Sequence, residues 1–270
     1  MAFPTGVAKS LPEWLLRRAK PAYYAGYRCA IRARCWISDQ WLPVSGSEPV
    51  PPAMLRFRVG ESISVQDFLH IGRATAMAIR QALSMAGRPL EAAGAILDFG
   101  CGCGRTLLWL TQWFPEQTFY GTDVDACAVQ WCKRHIGAHF SVNSPEPPLS
   151  YPECSFDLVY AVSVFTHLSE QDQCKWLHEL RRILKPGGVL LLSVHGPSSW
   201  SRLSQEERDI LRRQGFLFKR SSKLRGIVPE WYHTAFHSRD YALQSFSRYF
   251  KPISFMENGL GFQDLVVLER

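Results

Sequence analysis

The sequence has no apolar run long enough to cross a bilayer and no clustered pattern of metal ligands. A transmembrane helix needs about 20 consecutive apolar residues. The first residues also lack the apolar core of a signal peptide, so we expect a cytoplasmic protein. None of the eight cysteines forms a C-x-x-C pair or a zinc-finger spacing with histidine. Scattered thiols of this kind indicate a reducing compartment, and we expect no metal site.

Two widespread nucleotide-binding motifs are absent as well. The chain contains neither the dinucleotide fingerprint G-x-G-x-x-G nor the phosphate loop G-x-x-x-x-G-K-[ST]. Its glycines instead run G-x-G-x-G, in the stretch D-F-G-C-G-C-G-R at residues 98–105. A short apolar segment precedes this stretch and a helical pattern follows it, which predicts a strand, a tight turn and a helix N-terminus. Such a turn lets the backbone approach a ligand closely.

An acidic residue two positions before G-x-G-x-G resembles motif I of the class I S-adenosylmethionine (SAM)-dependent methyltransferases. The resemblance implies that SAM is the cofactor and S-adenosylhomocysteine the product. It also implies that this loop holds the amino-acid half of SAM by close backbone approach. The loop residues assigned to the cofactor in this way are Asp98, Gly100, Cys101, Gly102 and Gly104.

The predicted second and third strands supply further cofactor residues. An acid about twenty residues past a glycine-rich loop can accept two hydrogen bonds from a ribose diol, and the matching acid of the family binds the SAM ribose. Asp123 takes this role here, with Val124 beside it. Asp125 is the rival, but it is also the predicted cap of the next helix. Ser64 and Ser238 are predicted caps of two other helices. Asn143 stands where the family often has an acid that accepts from the adenine amino group, and its carboxamide oxygen could accept that bond.

Two later segments also resemble the family. The run S-F-D-L-V-Y-A-V-S-V-F-T-H-L at residues 155–168 resembles motif IV, which places Ser163 and Phe165 near the methyl donor. The run L-K-P-G-G at residues 184–188 lies between a predicted helix and a predicted strand, as in the family. Together the matches cover roughly residues 65–195 and, more weakly, the C-terminal strands.

From residue 94 onward, predicted strands and helices alternate along the chain. Alternation of this kind argues for a parallel sheet with helices on both faces. The last two apolar runs flank the turn N-G-L-G and predict an antiparallel pair. We therefore expect an α/β fold with a doubly wound, mostly parallel sheet and an antiparallel last strand, as in the Rossmann-like methyltransferase fold, plus an N-terminal helical extension. Ligands of such sheets bind beyond the carboxyl ends of the strands.

The chain divides into a basic helical extension with a linker, at residues 1–60, and a SAM-dependent methyltransferase domain at residues 61–270. Residues 1–80 contain eleven Lys and Arg against five Asp and Glu. A basic, aromatic-rich helix is predicted over residues 11–37, broken or bent at Pro21. This helix either packs against the domain, which we favour, or makes peripheral contact with a membrane surface. The composition of residues 43–53 is that of a linker.

Five residues are candidate catalytic groups: His167, His195, Tyr232, His233 and His237. The first two follow the predicted fourth and fifth strands, where a base should lie. Either could deprotonate an acceptor hydroxyl, and either could be an ordinary loop histidine. The other three belong to an insertion at about residues 196–240, which in the family often builds the acceptor wall or a lid. An aromatic patch that anchors this insertion to the sheet is the alternative.

The expected activity is methyl transfer from SAM to a small or medium-sized acceptor by in-line displacement. A hydroxyl acceptor is favoured because histidines could serve as base, and because the chain lacks an N-P-P-Y-type sequence. Two alternatives stay open. The net charge of +7 allows a nucleic-acid methyltransferase, although we expect no nucleic-acid partner. A non-catalytic module that binds a partner or a membrane through the basic helix is the other.

Overall fold

The computed structural model describes residues 13–40, 48–228 and 232–270, with side chains in the first helix described from residue 19 onward. The strands are β1 (Ala95–Phe99), β2 (Thr118–Asp123), β3 (His139–Val142), β4 (Phe156–Ala161), β5 (Leu184–Val194), β6 (Phe216–Lys219), β7 (Thr234–His237), β8 (Lys251–Met256) and β9 (Asp264–Glu269). The α-helices are α1 (Glu13–Gln40), α2 (Ala53–Gly60), α3 (Val65–Met85), α4 (Leu107–Trp113), α5 (Ala126–His135), α6 (Glu170–Ile183), α7 (Gln205–Gln214) and α8 (Arg239–Phe246). Short 3₁₀ segments are Leu90–Ala92 and Pro197–Arg202.

A seven-stranded sheet runs through the described residues in the order β3-β2-β1-β4-β5-β9-β8. The pairs among β1 to β5 are parallel, whereas β9 is antiparallel to both β5 and β8. The predicted fold class is therefore confirmed, including the antiparallel last strand. The order reverses next to β1, so the carboxyl ends of β1 and β4 flank a crevice in which ligands of such sheets bind.

The sheet is covered on both faces, as the nearly continuous apolar strands require. One buried cluster includes Leu83 of α3, Leu107 of α4 and Ile96 of β1. The other lies on the opposite face and includes Leu97 of β1 and Trp176 of α6. Neighbouring residues of β1 thus enter different clusters, because successive side chains of a strand point to opposite faces.

The predicted helix caps are present where the sequence places them. The Ser64 hydroxyl accepts a hydrogen bond from the Asp67 amide (3.1 Å), and the Ser238 hydroxyl accepts one from the Tyr241 amide (3.2 Å). The Asp125 carboxylate accepts from the amide of Cys127 (3.0 Å). Each cap satisfies an amide that has no partner within its own helix, and an exposed cap contributes typically ~1 kcal/mol.

The local structure departs from the sequence pattern in three places. α1 continues through Pro21 as one helix, so the break, one of the two outcomes expected there, does not occur. Residues 216–219, for which the sequence pattern indicated no strand, form β6 and pair with β7. The strand after α6 begins at Leu184, before the Pro-Gly-Gly turn that was predicted to precede it. The linker prediction and the start of the first helix fall partly outside the described residues.

The N-terminal helices lie against the side of the domain that faces the crevice. Ile31 of α1 and Phe57 of α2 share a buried cluster with Leu224, Ile227 and Val228 of the loop before β7. Within the described part of the chain, no helix combines the length and the apolar character needed to cross a bilayer. The helices α1 and α2 therefore pack against the domain close to the crevice.

Candidate functional site

A cavity of about 190 Å³ lies at the carboxyl ends of β1, β2 and β4. Three groups of side chains form its wall: the turns that follow these strands, the helix α2, and the loop before β7. The wall includes Leu55, Arg58, Val59, Asp98, Gly100, Cys101, Gly102, Arg105, Asp123, Val124, Asn143, Ser163, Val164, His167, Val228 and Tyr232.

The loop after β1 is shaped so that only glycine fits at its turns. Gly100 and Gly102 have φ angles of 80° and 52°, which side chains rarely adopt. A Cβ atom at Gly100 would lie 2.3 Å from Val164, and one at Gly102 would lie 2.5 Å from Val59. The bare backbone therefore faces the cavity, which suits close approach of a ligand. Cys101, between the two glycines, also lines the cavity.

Asp123 ends β2 and ties the glycine loop to the next turn. One carboxylate oxygen accepts from the Gly102 amide (2.7 Å) and the other accepts from the Asp125 amide (2.8 Å). Burial raises the pKa of Asp123, while these amide bonds oppose the increase. Each oxygen keeps a second lone pair, so the carboxylate can still accept from a diol in the cavity.

Asp98 is a buried carboxyl with a strongly changed proton affinity. It is 4% exposed, and burial raises its pKa to about 8. The neighbouring Tyr160 hydroxyl and the Arg105 guanidinium oppose this shift, and the negative charge of Asp123 adds to it. A cationic ligand group at Asp98 would favour the ionised form, since opposite charges in a buried site attract strongly.

Arg105 is the matching cation of the cavity. It forms no ion pair and no hydrogen bond with another described residue, and burial lowers its pKa. Its side chain lies against Gly60 and Gly72, whose added Cβ atoms would come within 3.0 and 2.8 Å of it. A partly buried guanidinium without a carboxylate is costly and suits an anionic ligand. Asp98 and Arg105 together fit the ammonium and carboxylate of an amino acid.

Sequence reasoning missed Arg105 and the contribution of α2. Arg105 directly follows the last glycine of the loop, and this position next to the ligand loop could have identified it as a candidate site residue. Leu55 and Val59 of α2 cover the glycine loop, and the Arg58 guanidinium donates to the Asp125 carboxylate at 2.6 Å. This ion pair joins α2 to the turn after β2, across 67 positions of sequence. No local pattern in the first 60 residues indicates that contact.

Other predicted cofactor residues lie at the cavity, and some of their polar atoms already form hydrogen bonds within the protein. Val124 and Asn143 line the wall. The Asn143 carboxamide oxygen accepts from the Thr122 hydroxyl (2.9 Å), and its NH₂ group donates to the Ser144 carbonyl (2.7 Å). Ser163 lines the wall in a left-handed conformation, with φ of 61°.

His167 faces the same cavity from the turn after β4. Its Nδ1 lies 2.6 Å from the carbonyl oxygen of His233, so we assign the proton to Nδ1 and a lone pair to Nε2. The ring stacks on Tyr232, with centroids 3.7 Å apart. Burial lowers the pKa of His167 to about 4 and raises that of Tyr232 to about 12. Both groups are therefore uncharged at neutral pH.

The structure does not bring five of the predicted residues into the cavity wall. Phe165 is fully buried and packs against Phe246. His195 is 7% exposed, and its ring lies 6.4 Å from that of His167, behind the wall. His233 contributes its carbonyl to His167, while its ring faces Phe218. His237 bonds Gln173 through Nε2 (3.0 Å) beneath the site. Gly104, the last loop glycine, packs against α5 instead.

The buried histidines make the fold sensitive to acid. Burial lowers the pKa of His237 to about 3, against about 6.5 in an unfolded chain. Its contribution to stability is complete above pH 6.5 and is lost as the pH falls toward 4, because the unfolded chain takes up a proton first. As the pH falls from 6.5 to 4, the unfolding free energy of the wild type should decrease by up to about 3 kcal/mol more than that of His237→Gln. Denaturant titrations at both pH values measure this, and equal losses would contradict it.

In the part of the chain that the structure describes, no group of three or more His, Cys, Asp or Glu side chains is arranged to hold a metal ion. The eight cysteines are all free thiols. A hydrogen bond with Cys132, together with burial, raises the pKa of Cys101, and burial raises that of Cys103, so both loop thiols stay protonated.

Comparisons with known proteins agree with this geometry. Residues 96–188 match the family model described as a methyltransferase domain. The curated 2-methyl-6-phytyl-1,4-hydroquinone methyltransferase of Synechocystis sp. is 28% identical over 152 residues, which are 53% of this chain and 42% of that protein. The malonyl-[acyl-carrier protein] O-methyltransferase of Halalkalibacterium halodurans is 27% identical over 146 residues, 50% of this chain and 48% of that protein. The chain spans about half the length of the curated relatives it matches.

A solved structure shows the same fold. The SAM-dependent methyltransferase from Methanosarcina mazei superimposes with a TM-score of 0.52 and 18% identity, over 69% of this chain and 96% of that chain. At this identity the likeness concerns the fold.

Proposed function

We propose that this chain is a class I SAM-dependent methyltransferase, which its similarity to a methyltransferase-domain model and to curated methyltransferases supports, and that it methylates a hydroxyl group of a small or medium-sized acceptor. SAM supplies a methyl group that its positively charged sulfur already activates for transfer. The protein then has to align the acceptor and remove a proton. The observation that carries the proposal is an uncharged imidazole, His167, in the wall of the cavity that also contains the glycine loop.

The residues of the cavity fit SAM. Asp123 would hold the ribose diol, and the glycine loop would lie along the chain that joins ribose to the amino acid. Asp98 would accept from the ammonium and Arg105 would donate to the carboxylate. Each buried charged group would then have a partner of opposite charge, the Asp98 carboxyl in the ammonium and the Arg105 guanidinium in the carboxylate. Asn143 would face the adenine.

His167 has the features of a general base. Its Nδ1 proton is committed to the carbonyl of His233, which leaves the Nε2 lone pair for an acceptor hydroxyl. As Nε2 takes up the proton, the stacked Tyr232 ring stabilises the resulting imidazolium by a cation–π interaction. Burial lowers the pKa of His167 to about 4, so the base form dominates over the whole neutral range.

A second cavity supports the acceptor side. It holds about 370 Å³ and shares Val228 and Tyr232 with the first cavity. Its wall carries Lys223, with Glu61 3.7 Å away, and the ring of His233. An acceptor in this space would reach His167 past Tyr232. We take this as the role of the insertion at about residues 196–240 in the domain at 61–270.

Oxygen as the accepting atom has support among the relatives, since one of them is named as an O-methyltransferase. The other named relative acts on a hydroquinone that carries a phytyl group. We also propose a cytoplasmic location, because the cysteines are free thiols and free thiols persist in reducing compartments. The acceptor itself depends on the second cavity and is not given by the shared domain.

Transfer of a radioactive methyl group tests the proposal. The protein is incubated with methyl-tritiated SAM and a metabolite extract, and the labelled products are separated by size and treated with alkali. We expect label in small molecules that survive alkali, because an ether is stable where a carboxyl ester releases methanol. Label in ribonuclease-sensitive polymer would favour the nucleic-acid alternative. Absence of both label transfer and binding of S-adenosylhomocysteine would overturn the proposal.

The pH dependence of binding provides a second test, directed at Asp98. At pH 6 the carboxyl is protonated, because burial raises its pKa to about 8, and it must lose that proton to accept from an ammonium. The affinity for S-adenosylhomocysteine should therefore increase as the pH rises from 6 to 8, by up to about tenfold per unit. Calorimetry in buffers of different ionisation enthalpy measures the affinity and the released proton. Asp98→Asn should bind more weakly without this dependence, and a constant wild-type affinity would contradict the role.

A further inference from the structure

The outer face of α1 is apolar and exposed to solvent. Trp36 and Ile37 are 67% and 51% exposed, which is unusual for side chains of this size. Small residues continue the face toward the N-terminus at helical spacing. The exposed residues of this face are Ala22, Ala25, Gly26, Cys29, Ala30, Ala33, Trp36 and Ile37. We call this set the outer face of α1.

Positive charges border the outer face on both sides. Neighbouring residues of a helix are about 100° apart, so Arg32 and Arg34 lie on opposite sides of Ala33. Both side chains are exposed. Asp39 is the one acidic residue between residues 19 and 40, and it accepts from the Ala53 amide at 2.7 Å, on the protein side. The outward-facing part of the helix is therefore apolar with a basic border.

The inner face of α1 is held by a folded core. Tyr27, Ile31 and Cys35 pack with Phe57 of α2 and with Val228 of the cavity wall. The Arg32 guanidinium also donates to the Gly226 carbonyl at 3.0 Å. The helix is thus an integral part of the acceptor side, and its outer face is left without a partner in the described residues.

We propose that the outer face of α1 docks on the surface of an anionic lipid bilayer. An interfacial helix combines an apolar face with a basic border, and tryptophan is well suited to the headgroup level. Each arginine near an anionic surface contributes roughly fivefold to binding. Nucleic acid fits less well, because the surface between the arginines is aliphatic. A second copy of the chain fits less well, because symmetric pairing of this face would bring arginines together.

Docking in this way would place the acceptor cavity beside the bilayer. Val228 belongs both to the cluster that holds α1 and to the walls of the two cavities. An acceptor attached to a lipid could then reach the site from the membrane surface. This consequence rests on the proposed methyltransferase activity, whereas the docking itself does not.

Vesicle co-sedimentation of the full chain tests the docking. Vesicles of phosphatidylcholine alone are compared with vesicles that contain phosphatidylglycerol, at low and high salt. We expect binding to the anionic vesicles, weakened by salt, and little binding to the neutral ones. The double variant W36S/I37S should bind at least about tenfold more weakly. The matched control is M77S/M85S on α3, whose side chains are 56% and 70% exposed, and it should bind like the wild type.

Four results would overturn the docking proposal. The first three are no binding to anionic vesicles, equal binding by W36S/I37S and the wild type, and a concentration-dependent dimer that W36S/I37S abolishes in light scattering. Binding of S-adenosylhomocysteine by calorimetry is measured on every variant. If a variant no longer binds vesicles but still binds S-adenosylhomocysteine, the variant is folded and the docking surface is distinct from the methyltransferase site. Competition by polyuridylic acid for the same face would assign the surface to nucleic acid instead.

Discussion

Replacing Asp123 with alanine is expected to weaken the binding of S-adenosylhomocysteine by about 100-fold or more. The carboxylate accepts from the amides of Gly102 and Asp125 and would accept two further bonds from the ribose. Hydrogen bonds to a charged group contribute about 1.5–3 kcal/mol each, so the loss of two direct bonds already accounts for this factor. The loosened glycine loop adds to it. Calorimetric titration of the purified variant measures the effect.

The chain offers a matched control for this variant. Asp157 also accepts from two backbone amides, those of Gly94 (3.2 Å) and Ala95 (2.9 Å), and it pairs with Lys185. It lies at the opposite end of the sheet from the cavity, beside the start of β1. Asp157→Ala should therefore lower the melting temperature and leave ligand affinity near that of the wild type. Equal ligand affinity in Asp123→Ala and the wild type would remove Asp123 from the cofactor site.

Replacing His167 should lower the turnover number by about 10²- to 10⁴-fold, the usual range for a general base, while the KM for SAM changes little. His167→Asn is the sharper variant, because its side-chain amide can still donate to the His233 carbonyl but offers no base. Its effect on turnover should match that of His167→Ala. Steady-state kinetics with the acceptor found by methyl labelling measure both. Added imidazole should restore part of the activity of His167→Ala.

His195 provides the contrast for His167. Burial lowers its pKa to about 4 as well, but its ring lies behind the cavity wall and bonds the Ala235 carbonyl (3.2 Å). His195→Gln should cost stability more than turnover. For the wild type, the acid limb of turnover should lie near pH 4 and not near 6.5, since His167 stays unprotonated until then. Unchanged turnover in His167→Asn would exclude His167 as the general base.

Local order along the chain was predictable because it depends on neighbouring residues. The alternation of apolar runs with capped helices predicted the sheet, and Ser64, Asp125 and Ser238 cap the helices they were expected to cap. The glycine spacing predicted a ligand loop. All three glycines of that loop have the left-handed backbone and close packing that the spacing indicates.

Contacts between distant segments were not predictable from such patterns. Phe165 and His167 are two positions apart in a turn, so their side chains point in different directions, and only the packing of α6 and α8 decides that Phe165 is buried. In the same way, His237 is the last residue of β7, in which three consecutive residues are buried. Sequence order places these residues near the carboxyl ends of strands, but it does not give the direction of each side chain.

The sequence by itself indicated the alternating strands and helices, the antiparallel last strand and the glycine loop that we propose receives SAM, because each depends on periodicity or on residues within one turn. The tertiary structure alone decided what closes the site. Arg58 pairs with Asp125, and Arg105 is left as a cation inside the cavity. Val228 joins the cavity wall to α1. These contacts arise from packing between segments far apart in the chain, where shape and burial, rather than local pattern, select the partner.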